Sequence, residues 1–167
     1  ITEIYSNYII KTLNNSELFE NVSVKIINDK YVISVKEYSN INKIYFKNNE
    51  RLKDDELLKI ANEMDVKNVN PVQINSYISE IKKIYQSFGY NNIKISYNEK
   101  QSSDNNISDI YLDIDEGDIT KINNIYFNGN EYIDSRVLKD QLKSKTKTLI
   151  NIFANNNFKN FVFENDV

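Results

Sequence analysis

The sequence predicts an α+β fold built from tandem units, each running strand, helix, helix, strand, strand. Three features of the chain point to it. INKIYFKNNERL at 41–52 returns as INNIYFNGNEYI at 122–133, 81 positions later, with Ile, Asn, Ile, Tyr, Phe, Asn and Glu repeated in place. A second echo has a different offset: Ile10, Leu13, Phe19, Val22 and Val24 map onto Ile81, Ile84, Tyr90, Ile93 and Ile95 at a constant spacing of 71. Between the echoes, residues 71–88 carry apolar residues at the helical period and are followed by two stretches alternating at period two. Self-similarity at a period near 80 makes a tandem array the first architecture to test.

The helix PVQINSYISEIKKIYQSFGY is the plainest element. Asn70 can cap it, Pro71 suits its first position, and Ile74, Tyr77, Ile78, Ile81, Ile84, Tyr85 and Phe88 form one apolar face before Gly89 ends it. In NIKISYNEK, Ile93, Ile95 and Tyr97 alternate with polar residues; in DIYLDIDEG, Ile110, Leu112 and Ile114 do the same. Each reads as a strand with one buried face, separated by the polar loop QSSDNNIS. The start of the chain repeats this order in tighter form: a helix end near Ile10 and Leu13, a strand with Val22, Val24 and Ile26, a turn at Asn28 and Asp29, and a strand with Tyr31, Ile33 and Val35. Asn tolerates the positive φ that a two-residue hairpin demands. The front of the unit is a strand, INKIYF, a turn, and the helix DDELLKIANEM, whose acidic first turn favours the positive helix start. Its copy is INNIYF, NGN and DSRVLKDQLK, with Asp134 as cap.

The expected division is therefore 1–38, the rear half of one unit; 39–118, a complete unit; and 119–167, the front half of a further unit. Counting chain reversals places strand one beside strand three and strand three beside strand two. The result is a three-stranded mixed sheet of order 1-3-2, covered on one face by two helices. Strand two is an open edge.

Composition narrows the function. The chain is 40% apolar and 27% charged, with three Gly and one Pro, as in a globular protein. Its net charge is −3 with both signs mixed, so nucleic acid is not an expected partner. The absence of Cys excludes disulfide and thiolate chemistry. No apolar run approaches the ~20 residues of a membrane span, and the start ITEIYSNYIIKTL lacks the regions of a signal peptide, which implies that any leader has been removed. His is absent too, and no GxSxG or phosphate-loop pattern occurs, so no catalytic residue and no cofactor is expected. Asp113, Asp115, Glu116 and Asp118 in DIDEGD invite a calcium reading, but strand alternation and the glycine spacing do not fit an EF-hand, so no metal is expected. Tyr45 and Tyr126 follow apolar Ile44 and Ile125, and are better read as packing residues than as ligand anchors.

In order and motif, the chain resembles POTRA domains, the polypeptide-transport-associated repeats that precede the barrel in BamA-type outer-membrane assembly proteins. The resemblance lies in IYFNGN at 125–130 with Leu138 in the next helix, YQSFGYNNIKI at 85–95, IDEGD at 114–118, LFENVSV at 18–24 and VKE at 35–37. Two positions depart from the family: Asn48-Asn49 replaces Gly-Asn after strand one, and Tyr38 replaces a common Pro. The resemblance implies the periplasmic portion of a Gram-negative outer-membrane protein, with a C-terminal membrane barrel absent from this chain. Its implied partners are unfolded outer-membrane protein polypeptides and accessory assembly lipoproteins. It also allows another translocation or secretion transporter, or a rigid scaffold docking only folded partners.

An open edge offers main-chain hydrogen bonds to many client sequences, so client binding by β-augmentation is expected on Asn92, Ile93, Lys94, Ile95, Ser96, Tyr97 and Asn98. Glu116, Gly117 and Asp118 are expected to form the joint between units, because glycine lets the chain leave strand three.

Overall fold

The computed structural model describes residues 3–102, 106–146 and 156–166. Helix α1 (Glu3–Asn14) leads into a hairpin, β1 (Phe19–Ile27) and β2 (Lys30–Glu37). There follow β3 (Asn40–Lys47), α2 (Asp54–Glu63), α3 (Pro71–Ser87), β4 (Lys94–Gln101) and β5 (Ile107–Asp115), then α4 (Ser135–Gln141) and α5 (Asn160–Glu164). The β1–β2 hairpin is a sheet of its own, and β3, β5 and β4 form a mixed sheet in the order β3-β5-β4. β3 thus lies beside β5, and β4 is at the edge, as the counting of reversals requires.

Turn chemistry explains several boundaries. Asn28 and Asp29 have φ of 49° and 53°, the double left-handed geometry of a tight hairpin, and the register runs from Ile27 opposite Lys30 back to Phe19 opposite Glu37. Asn48, with φ 63°, takes after β3 the left-handed conformation that Gly129, at φ 84°, takes in the copy. Asn70 caps α3 by accepting from the Val72 N–H at 2.8 Å, and Gly89, at φ 100°, ends it. Asp134 caps α4 by accepting from the Arg136 N–H at 2.7 Å, which lowers its carboxyl pKa below the ordinary value.

The described residues fall into two compact bodies. One holds the residues up to Phe46 with Asp54–Ile78 and Tyr97–Leu112; the other holds Lys47–Lys53, Ser79–Ser96 and the residues from Asp113 on. In the first body the core is Leu57, Ala61, Val69, Ile74, Tyr77, Ile78, Ile110 and Leu112. The Tyr77 hydroxyl donates to the Leu57 carbonyl at 2.8 Å. In the second body Leu52, Ile81, Tyr85, Ile93 and Ile114 are buried, and Tyr85 meets Tyr90 edge-to-face at 5.7 Å. Every apolar residue that the period-two pattern assigns to the inner face of β5 is buried.

Four expectations change. INNIYF at 122–127 is not a strand: only Lys121 forms a bridge, antiparallel to Asn157. Its copy β3 is held by the ladder to β5, and among the described residues 122–127 have no such strand beside them; β-propensity alone does not make a strand. Asn92 and Ile93 precede β4, which begins at Lys94 and continues to Gln101, because residues 91 and 92 make a turn first. The loop QSSDNNIS is shorter than expected, Gln101 closing β4 and Ile107 opening β5, with 103–105 outside the described residues. The β1–β2 hairpin, on which α1 packs through β1, carries Ile26, Ile33 and Val35 more than 40% exposed rather than buried.

Candidate client-binding edge and joint

Among the described residues, ladder order makes β4 an edge strand, bonded to β5 on one side only. Its side chains alternate as the sequence requires. Ile93, just before the strand, is buried; Ile95 and Tyr97 are half-buried; Lys94, Ser96 and Asn98 are exposed. The exposed positions continue through Glu99, Lys100 and Gln101, so the far end of the edge is polar on both faces. Lys94 lies 3.9 Å from Asp115, with both side chains mostly exposed. Such a pair contributes ~0–1 kcal/mol at most. Glu99 is fixed differently: the buried Ser108 hydroxyl donates to its carboxylate at 2.6 Å.

The expected joint begins on an anchored residue. Glu116 accepts from the Arg51 N–H at 2.7 Å and from the Tyr85 hydroxyl at 2.8 Å. Burial of Tyr85 and its hydrogen bond to the Glu116 carboxylate hold the phenol proton well above its ordinary value. Gly117 follows at φ 63°, while Asp118 is exposed. A Cβ on Gly117 would sit 3.6 Å from Asn92, in ordinary contact, so glycine is favoured there by backbone conformation rather than by space. Asn92 and Gly117 are therefore neighbours, although 25 residues apart in sequence.

The acidic run DIDEGD disperses to separate partners. Asp113 accepts from Asn48 Nδ2 at 2.8 Å and lies 3.9 Å from Lys47 Nζ. Asp115 faces Lys94 and Glu116 faces Tyr85. Tyr45 stacks on Tyr111 with centroids 4.8 Å apart and planes at 13°, which makes it a packing residue, whereas Tyr126 is 85% exposed. Arg51 escaped the sequence reading: its guanidinium lies 3.7 Å over the Phe88 ring, and its N–H holds Glu116, a partner 65 positions away that no local pattern indicates. Among the described residues, no helix is long and apolar enough to cross a membrane.

Residues 39–117 match the family model for POTRA, described as a surface antigen variable number repeat. The fold is similar to the crystal structure of Haemophilus influenzae BamA POTRA3-5, at 13% identity and a TM-score of 0.53, covering 96% of this chain and 66% of that one. It is also similar to the N-terminal domain of Omp85 from the thermophilic cyanobacterium Thermosynechococcus elongatus, at 11% identity and a TM-score of 0.55, covering 99% of this chain and 70% of that one. This chain thus spans just under two thirds of the first of these relatives. No curated protein matches the sequence. Residues 39–117 of this chain thus match the POTRA family, and the chain has the fold of the BamA and Omp85 POTRA regions.

Proposed function

We propose that this chain is the periplasmic POTRA region of an outer-membrane β-barrel assembly factor, that it binds unfolded outer-membrane polypeptides by strand addition, and that it docks accessory lipoproteins. Within it, residues 1–38 are the rear half of one repeat, 39–118 a complete repeat and 119–167 the front of another. The observation that carries the reading is the edge position of β4, whose outer side has no strand beside it among the described residues. Main-chain pairing there reads an extended conformation instead of a sequence, which suits a factor serving many clients. Exposed Lys94, Ser96 and Asn98 keep that edge soluble and make client affinity modest. Clients pair along Lys94–Gln101, the joint Glu116, Gly117 and Asp118 restricts rotation, and neither role calls for catalysis.

Proline substitution tests the edge. Main-chain N–H groups along an edge strand point alternately to the neighbour and outwards, so Ser96→Pro and Ile95→Pro are made as a pair. The variant that removes an outward donor loses about 0.5–1.5 kcal/mol of client binding, or roughly two- to tenfold, in a titration with barrel-strand peptides. Circular dichroism establishes that each variant folds. If both folded variants bind such peptides as well as the parent, strand addition at β4 is wrong and a rigid scaffold for folded partners takes its place.

A further inference from the structure

Thr120 to Ile122 and Asn156 to Phe158 reproduce a pairing found in the POTRA domain. There, the Ile41 N–H donates to the Lys67 carbonyl and the Val69 N–H to the Ser39 carbonyl, both at 2.8 Å, around the bridge Asn40–Asn68. In the following segment, the Ile122 N–H donates to the Asn156 carbonyl and the Phe158 N–H to the Thr120 carbonyl, both at 2.7 Å, around the bridge Lys121–Asn157. The first side of the pairing is offset by 81 residues and the second by 89, so eight additional residues lie between them. Helix α3 starts at Pro71 after its cap Asn70, and α5 starts at Asn160 after Lys159, again offset by 89. Helix α5 therefore starts at the position that corresponds to the start of α3.

This equivalence shows what meets at each junction. A helix leaves its last carbonyls without intrahelical donors, and the turn after it must supply partners or leave them to other elements. After α1 the chain turns through Glu17 at φ 59°, and the Glu17 carbonyl accepts from Asn70 Nδ2 at 2.7 Å. After α3 it turns through Gly89, and the Phe88 carbonyl accepts from Asn157 Nδ2 at 3.2 Å. Asn91 Nδ2 returns the contact by donating to the Phe158 carbonyl at 2.9 Å, and the Thr120 N–H donates to the Gly89 carbonyl at 2.9 Å. The surfaces are close: a Cβ on Gly89 would lie 3.0 Å from Asn157 Cβ and 3.2 Å from Ile119 Cγ2.

We infer that successive repeats are locked by one device, a polar socket at the C-terminal turn of a repeat's second helix, filled by an asparagine amide from the next repeat's bridge segment or from the helix cap just after it. Asn70, the cap two residues beyond the bridge residue Asn68, fills it on Glu17, and Asn157, itself the bridge residue, fills it on Phe88; the two acceptors are equivalent at the offset of 71, while the donors sit two positions apart in the repeat. The socket fixes the angle at each junction, so Gly117 shapes the path of the chain but is not a free hinge. The inference rests on the division into repeats proposed above and is independent of client binding.

Asparagine to aspartate is the discriminating change, because it keeps the side-chain shape and turns the donor into an acceptor facing a carbonyl. Asn70→Asp also keeps the oxygen that caps α3. The chain has no cysteine, so spin labels can be introduced in pairs: Lys11→Cys with Asp55→Cys across the first junction, and Ser79→Cys with Asp140→Cys across the second. Pulsed electron resonance on the full chain should give a narrow distance distribution for each pair in the parent. Asn157→Asp should at least double the width for the second pair only, and Asn70→Asp for the first pair only. Asn91→Asp, which removes the reciprocal bond, provides the second-junction readout if Asn157→Asp does not fold. Unchanged widths in folded variants overturn the socket. Broadening of both pairs by either variant overturns the division into repeats, since that is the response of one cooperative body.

Discussion

Tyr77 and Tyr85 show how single side chains tie secondary elements together. Both are fully buried, and each directs its hydroxyl to a specific acceptor, the Leu57 carbonyl and the Glu116 carboxylate respectively. Burial raises both phenol pKa values well above the ordinary 10.0, and for Tyr85 the Glu116 carboxylate adds to it. A folded-state pKa above the unfolded one gives stability that is complete below pH 10.0 and lost as pH rises beyond it. Alkaline unfolding is therefore expected to begin above pH 10.0, with a slope reduced in Tyr77→Phe/Tyr85→Phe. At neutral pH each single Phe variant should cost roughly 0.5–1.5 kcal/mol through its lost hydrogen bond. Denaturant melts at several pH values check both statements, and equal alkaline slopes in parent and double variant would refute the linkage.

Among the elements, α3 carries the most. Its one apolar stripe supplies Ile74, Tyr77 and Ile78 to one core and Ile81 and Tyr85 to the other. Truncation there leaves a cavity that neighbours cannot fill, so Ile81→Ala should cost about 2–5 kcal/mol, whereas Val72→Ala, on the exposed side of the same helix, should cost under about 0.5 kcal/mol. Urea melts of the two variants give the comparison, and similar losses would contradict the assignment of the buried face. The β1–β2 hairpin is the opposite case, with a long ladder broken by one irregularity between Phe19 and Asn21 and a half-exposed apolar face. Its turn, its register and its contact with α1 hold it, not a deep core.

At the level of the whole molecule, stability comes from apolar burial and not from charge. In every described ion pair both side chains are at least 42% exposed, so water and salt screen them. Raising the salt from roughly 0.05 to 0.5 M should change unfolding free energy by less than about 1 kcal/mol. A larger fall, measured in urea at the two concentrations, would mean that electrostatics contributes more than these exposures allow. The proposed function belongs to the same scale: it rests on the ladder order, which leaves β4 at the margin, and on the Asn70 and Asn157 amides at the turns after α1 and α3.

Local chemistry was enough to read α3 with its cap and its terminating glycine, the hairpin turn at Asn28-Asp29, the alternating faces of β4 and β5, and, by counting reversals, the order β3-β5-β4. Period and turn type depend on residues a few positions apart, and sequence displays those directly. It displays nothing of what a segment meets from far along the chain. INKIYF and INNIYF are almost the same string, yet the first is a strand and the second is not, because a strand exists through its neighbour's hydrogen bonds. The edge strand is shifted by two residues for a related reason, since the turn at residues 91 and 92 occupies positions that alternation alone assigns to the strand. Arg51 on Phe88, Glu116 under Tyr85 and Asn157 on the end of α3 are pairings across 31 to 69 positions, decided when the helices and sheets packed.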